Sequence, residues 1–353
     1  MFSESTDTAP EGGEAESLAG DSHARRVLVT GASGFLGRAV VGRLLETGWS
    51  VDAVTSGNSP DPDVEHEALR WREADLLDGA AIEALLSGAD APFLIHLAWA
   101  QARPIYDSPE NFRWVSASTR LLKKFFENGG QRTVFAGSSA EYDWSSGICR
   151  ERTTPLAGGG AYGAAKRGLA ELFHGLCEHY GDGENGSVSG AWARIFFLFG
   201  PHESEGRLAA SVTRALIEGG PVRCSEGTQI RDYLFVEDAA DALVELLGSE
   251  ITGPVNIASG EGVRVRDFVL ELAERVDAAG LGGSGVAGGD SCAERIEWGK
   301  VGQSGNEAPL VIADIARLRD ELGWQPRIGR SEGLDRTIAW WQERLAAKAG
   351  AVS

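Results

Sequence analysis

Cysteine, basic residues and long apolar runs are scarce in this chain, and each scarcity excludes something. The four cysteines, Cys149, Cys177, Cys224 and Cys292, lie far apart with no CxxC pair. Neither a disulfide framework nor a zinc site is indicated, and the thiols are expected to be reduced and mostly buried. The six histidines, at 23, 66, 96, 174, 179 and 202, show no ligand spacing, and His174 and His179 fall on different faces of one helix; no metal site is expected. Lys plus Arg number 33 against 52 Asp plus Glu, a formal charge of -19. Such a surface repels phosphate backbones, so nucleic acid is a poor partner. No apolar run approaches the roughly 18 residues of a membrane span. The opening residues 1–24 lack the basic end and apolar core of a signal peptide. A cytoplasmic protein without membrane contact is the simplest expectation.

What is present is ordinary globular composition: 353 residues, 47 of them Gly, 42% hydrophobic, enough for one large or two modest domains. Residues 1–24 hold six acidic residues, no Lys or Arg and almost no large apolar side chain, which predicts a disordered acidic tail. From Arg26 the pattern becomes RVLVT, then GASGFLGRAVVGRLLETG, a strand, a glycine turn and an amphipathic helix stopping at Gly48. SVDAVTS, AAIEALLSG, PFLIHLAW, a long helix from about Pro109 to Glu127 and RTVFAGSS continue the alternation. A helix from about Ala161 to Tyr180 and the apolar run SVSGAWARIFFLFG follow. The fold class is therefore α/β: a doubly wound parallel Rossmann sheet of six or seven strands, with a smaller, discontinuous α/β lobe. The expected boundaries are 25–200 plus 231–262 for the dinucleotide-binding domain and 201–230 plus 263–345 for the substrate lobe. Residues 279–289 read as a flexible glycine-rich loop, and LDRTIAWWQERLAAK as a terminal helix with Trp340 and Trp341 in its core.

Three constellations carry chemistry. Glycines 31, 34 and 37 follow a strand and open a helix. The first permits the turn, the second lets a pyrophosphate approach the backbone, and the third allows close packing, while the helix N-terminus offers N–H groups to the phosphate. The second strand ends Val54-Thr55-Ser56-Gly57-Asn58, with no acid where a ribose 2′-hydroxyl would be gripped, and Asp52 lies too early. This favours NADP over NAD, with Arg70 or Arg72 as candidate phosphate partners. Asp75 could accept from the adenine amino group or cap a helix. Tyr162 and Lys166 lie one turn apart on one helix face. With five Tyr and five Lys in the chain, chance supplies such a pair about 0.07 times. A lysine ammonium beside a phenol is expected to pull its pKa down from about 10, suiting it to pass a proton to or from a carbinol. Ser138 and Ser139 end the RTVFAG strand, where ligands gather in such sheets.

Together with His96-Leu97-Ala98, Ser138 to Tyr142 and Arg231-Asp232-Tyr233-Leu234-Phe235-Val236-Glu237-Asp238, these residues resemble the extended short-chain dehydrogenases/reductases of the nucleotide-sugar epimerase/dehydratase family, over about residues 25 to 345. The resemblance implies a Ser138, Tyr162, Lys166 triad, because the family's serine lies four residues before a tyrosine, here Tyr142. It implies a cofactor site of Gly31, Ser33, Gly34, Phe35, Leu36, Gly37, Ser56, Asp75, Leu76, Leu97, Ala98, Tyr162 and Lys166. It also implies a substrate site of Ser138, Ser139, Glu141 and Arg231, the arginine facing the diphosphate of a nucleotide-diphosphate sugar.

Three departures matter. Ser139 and Ala140 replace the Asp and Glu of the 4,6-dehydratases, which argues against dehydration. Phe235 replaces the usual histidine. The run Tyr142-Asp143-Trp144 resembles the branch of CDP-abequose and CDP-paratose synthases. The leading expectation is thus a 4-ketoreductase of a nucleotide-linked deoxysugar, with a 4-epimerase holding NAD, and a non-catalytic dinucleotide-binding protein, as alternatives. In relatives the helices near 109–127 and 161–180 form an intersubunit bundle, so a homodimer is expected, with Phe112, Leu121, Leu122, Leu169, Leu172 and Phe173 contributing.

Overall fold

The β-branched run Arg26–Thr30 forms β1 and passes through the glycine turn into α1 (Phe35–Glu46). There follow β2 (Ser50–Thr55), β3 (Leu69–Glu73), α2 (Gly79–Ser87), β4 (Phe93–His96), α3 (Glu110–Glu127) and β5 (Arg132–Ser138). Next come β6 (Ile148–Cys149), α4 (Gly160–Gly181), β7 (Ser189–Ile195), β8 (Phe197–Phe199), α5 (Leu208–Ile217), β9 (Val222–Arg223), β10 (Ile230–Phe235) and α6 (Val236–Leu247). The chain closes with β11 (Gly253–Ile257), β12 (Gly262–Arg264), α7 (Val265–Ala278), β13 (Ile296–Glu297), β14 (Leu310–Ala313) and α8 (Arg330–Gly350). This computed structural model describes residues 25–57, 65–100, 105–181, 188–282, 291–302 and 307–350. The acidic tail, Asn58 and most of the glycine-rich stretch lie outside the described residues.

Seven parallel strands run β11-β7-β5-β4-β1-β2-β3. The order reverses between β1 and β4, whose ends meet in register at Thr30 and His96. At such a switch point the loops splay apart and leave a crevice for a ligand. One face is covered by α1 and α6 through Val40, Leu44, Leu243 and Leu246, the other by α2, α3 and α4 through Ile82, Leu121, Phe125, Leu169 and Phe173. Trp192 stacks on Phe135 at 4.5 Å within the second core. Each such side chain, fully buried, contributes about 1.5–3 kcal/mol.

The smaller sheet runs β12-β10-β14-β6, with β8 paired to β10; it is mixed, since β10 and β12 are antiparallel. The strands β6, β8 and β10 lie within or at the edge of segments read as dinucleotide domain, yet they build the smaller sheet. The apolar run through residues 189–199 is two strands, not one. Its first part ends at Ile195 in the large sheet, the Phe196 N–H bonds to the Ile257 carbonyl, and β8 crosses to the other sheet. Apolar character alone could not mark that break.

Phe235, where the resemblance implies a histidine, is a core residue: it is 1% exposed and packs on Phe199 at 5.6 Å. Three cysteines are buried and Cys177 is half-buried, all free. Burial pushes the Cys149 thiol up to about 12.

Candidate active site

The glycine turn is shaped by backbone contacts. Gly31 has φ +70, and a methyl there would fall 2.8 Å from the Ala98 nitrogen, so the Leu97-Ala98 backbone closes directly on it. A methyl on Gly37 would overlap the Gly31 carbonyl and Ala32. Gly34 caps α1 with no side-chain hydrogen bond, which leaves the first-turn N–H groups of Phe35, Leu36 and Gly37 for an anion. Below the turn, His96 Nδ1 lies 2.6 Å from Thr30 Oγ1 and Nε2 lies 2.9 Å from Ser118 Oγ. Burial, then the charge of Lys166, lowers this imidazole to about 3; it is a neutral strut between β1, β4 and α3. A cradle made of glycine backbone and free helix N–H groups fits a dinucleotide pyrophosphate.

At the end of β5 and the start of α4 the structure brings the expected triad together. Ser138 caps a single 3₁₀ turn; its Oγ accepts from the Ala140 N–H at 3.2 Å, and it stands close enough to Tyr162 to counter the rise of that phenol's pKa. Lys166, 3% exposed, donates to the Ala136 carbonyl at 2.7 Å. Its ammonium lies 3.7 Å from the centre of the Trp99 ring and 6.0 Å from that of Tyr162. The electrostatic expectation is corrected here. Burial raises the Tyr162 phenol to about 12, opposed by the neighbouring Ser138 and the Arg207 cation, and burial lowers Lys166 to about 7. The lysine does not draw the phenol toward neutrality, because its proton is aimed at a carbonyl and its charge is spent on an aromatic face.

Other expected site residues are placed differently. Both Glu141 oxygens are taken up within the fold: Oε1 accepts from the Ser138 N–H at 2.7 Å and Oε2 from Arg194 Nε at 2.8 Å, with the Trp192 indole donating to both. It supports Ser138 from behind, fully buried, instead of facing a substrate. Ser139 is buried too, its carbonyl accepting from Trp144 Nε1. Asp75 is exposed and accepts from the Leu77 N–H, the turn-capping option; Leu76 beside it is buried. Ser33 Oγ lies 3.2 Å from Thr55 Oγ1 at the end of β2, next to the exposed Ser56. Arg231 is 3% exposed; its Nη2 donates to Glu307 Oε1 at 3.0 Å and its Nη1 to the Ile230 carbonyl.

The rim of the second strand also departs from expectation. Arg70 grips Asp52 with Nε and Nη2 at 2.6 and 3.0 Å. Arg72 lies 3.4 Å from the same carboxylate and donates to the Gly88 carbonyl. Both guanidinium groups already have acceptors within the fold. An acid does stand at the strand end, but it comes from β3: a methyl on Gly57 would fall 2.8 Å from Glu73 Oε1.

Four residues near the site carry no sequence signal of the kinds used above. Glu73 and Trp99 reach it through strand pairing and a loop. Arg207, exposed at the start of α5, lends its charge to Tyr162. Tyr106 packs its ring edge-on to that of Tyr162 at 5.8 Å. From Arg207, α5 leads into a cleft of about 260 Å³ lined by Leu208, Val212, Pro221, Cys224, Val265 and Val301.

The chain is also similar to known proteins. The sequence profile of the NAD dependent epimerase/dehydratase family matches residues 27–258. A UDP-glucuronate 4-epimerase of Thermodesulfobacterium geofontis (strain OPF15) is 27% identical over 345 residues, spanning 90% of this chain and 96% of the relative. UDP-glucuronic acid decarboxylase 1 of Xenopus tropicalis is 23% identical, spanning 92% of this chain and 74% of its own. Among solved structures, MoeE5 in complex with UDP-glucuronic acid and NAD superposes with a TM-score of 0.73 at 27% identity, over 90% of this chain and 99% of that one.

Proposed function

Since the chain belongs to the NAD dependent epimerase/dehydratase family, we propose that it is a nucleotide-sugar 4-epimerase that oxidises and re-reduces C4 of a UDP-linked hexose or hexuronate. The observation that carries this reading is the convergence of Ser138 at the end of β5 with Tyr162 and Lys166 on α4, Lys166 Nζ lying 6.0 Å from the Tyr162 ring centre, next to the glycine cradle. The ketoreductase expectation gives way to its 4-epimerase alternative, because the relatives are mainly 4-epimerases.

The nicotinamide, when bound, supplies the acceptor and donor of the C4 hydride. Tyr162 takes the O4 proton as C4 is oxidised and returns it as C4 is reduced. Ser138, its Oγ fixed by the Ala140 N–H, hydrogen-bonds O4 while charge develops there. Lys166, held by the Ala136 carbonyl, offers its remaining protons to the cofactor ribose. Arg231 exchanges Glu307 for the substrate diphosphate, a bidentate role that a guanidinium fits. The nucleoside follows α5 from the Arg207 end into the cleft at Leu208, Val212 and Cys224.

The cofactor preference is revised to NAD. Arg70 and Arg72 are committed to Asp52, and Glu73 beside Gly57 would repel a 2′-phosphate while accepting from the ribose hydroxyls. A homodimer through α3 and α4 completes the proposal.

The test is incubation with NAD and either UDP-glucose or UDP-glucuronate, with the products separated by anion exchange and identified by NMR. Formation of the C4 epimer with no net change in NAD is the expected result, and NADP should substitute poorly. Stoichiometric consumption of NADH with an NDP-4-keto-6-deoxysugar, and no epimerisation, would return the ketoreductase reading.

A further inference from the structure

The segment from Ile105 to Ser108 is tied down at several points beside the Tyr162 helix. The Tyr162 N–H donates to the Tyr106 carbonyl at 3.0 Å. Asn111 Nδ2, from the first turn of α3, donates to the carbonyls of Ile105 and Ser108 at 2.6 and 2.9 Å. Gly160 opens α4 at φ +73, and a methyl there would fall 2.8 Å from the Tyr106 carbonyl oxygen, so only glycine lets the segment close on the helix. This anchoring holds the backbone of Tyr106 while leaving its side chain 46% exposed. Nothing in the core requires that ring, yet it stands at 89° to the Tyr162 ring with centroids 5.8 Å apart. A flat, half-exposed aromatic held rigidly beside the phenol that serves C4 suits a pyranose, whose axial C–H groups form an apolar face.

We propose that Tyr106 is a substrate-contacting, specificity-determining residue whose ring walls the sugar subsite and packs against the C–H face of the hexose while Tyr162 acts at C4. This rests on the nucleotide-sugar reading above and adds to it a residue with no motif. The contact is with the sugar and not the nucleotide. Tyr106 therefore acts on affinity for UDP-glucose and leaves UDP alone unaffected, and it lowers KM without setting the rate of the chemical step.

Steady-state epimerisation of UDP-glucose and calorimetric binding of UDP-glucose and of UDP test this in the NAD-loaded enzyme. In Tyr106→Ala the KM for UDP-glucose should rise about tenfold, the effect of one lost aromatic contact, with kcat nearly unchanged and UDP affinity intact. Tyr106→Phe, which keeps the ring, should restore the wild-type KM. Tyr106→Leu, which keeps bulk without a flat face, should resemble the alanine variant and serves in its place if that one fails to fold. An unchanged KM in the alanine and leucine variants, an equal loss of UDP affinity, or a phenylalanine variant as impaired as alanine would each overturn the proposal. Wild-type protein that neither binds nor turns over UDP-glucose or UDP-glucuronate would instead sink the underlying functional reading, and this inference with it.

Discussion

Tyr162 and Lys166 divide their labour by where their polar atoms point. The phenol stands beside Ser138, whereas the ammonium is turned to the Ala136 carbonyl and the Trp99 face. Tyr162→Phe removes a hydroxyl and no phosphate contact, so turnover should fall by at least about 100-fold, the usual range for a lost general acid or base. NAD affinity by calorimetry should stay near wild type; a parallel loss of binding would make Tyr162 a structural residue. At this scale the sequence was informative where spacing is local. Tyr162 and Lys166 share a helix face by their offset of four, and Ser138 ends a strand. Glu141 was misread for the opposite reason. Only the pairing of β5 with β7 brings Trp192 and Arg194 against its carboxylate, and an acidic residue next to a catalytic serine looks like a ligand contact until those partners are seen.

Elements meet at the switch point through His96, which joins the ends of β1 and β4 to α3. Its folded value of about 3 lies below the ordinary 6.5 of an exposed imidazole. Between those values the unfolded chain takes up a proton that the native fold refuses. The stability linked to His96 is therefore complete above the unfolded value and drains away as pH falls toward the folded one. His96→Gln should lower stability near neutrality but flatten its decline on acidification, read from urea midpoints at neutral pH and about pH 5. An identical slope in the variant would show that other groups carry the acid response. The alternation of strands and helices was legible because each element repeats its apolar period. The break at Phe196 was not, since both strands around it are apolar and only their partners differ.

For the molecule as a whole, four of the six side chains expected at a subunit contact are spent internally: Leu121, Leu122, Leu169 and Phe173 are 0% exposed against the sheet. Phe112 and Leu172, at 57% and 46%, are what α3 and α4 leave outside. Light scattering at micromolar concentration should give a dimer mass, and Phe112→Glu with Leu172→Glu should yield monomers. A monomeric wild type would remove the proposed assembly.

The smaller sheet draws its strands from residues 148 to 313, and β14 pairs with both β10 and β6. During synthesis the large sheet has all seven strands once Ile257 is made, but the smaller one waits for Leu310 to Ala313. Until then β6 has no partner strand and β10 is paired only with β8 and β12, a state in which open strand edges recruit other chains. A ribosome pausing in that interval would hold a nearly finished cofactor lobe joined to an adhesive half-sheet, so the final stretch of translation is the vulnerable time in this protein's life.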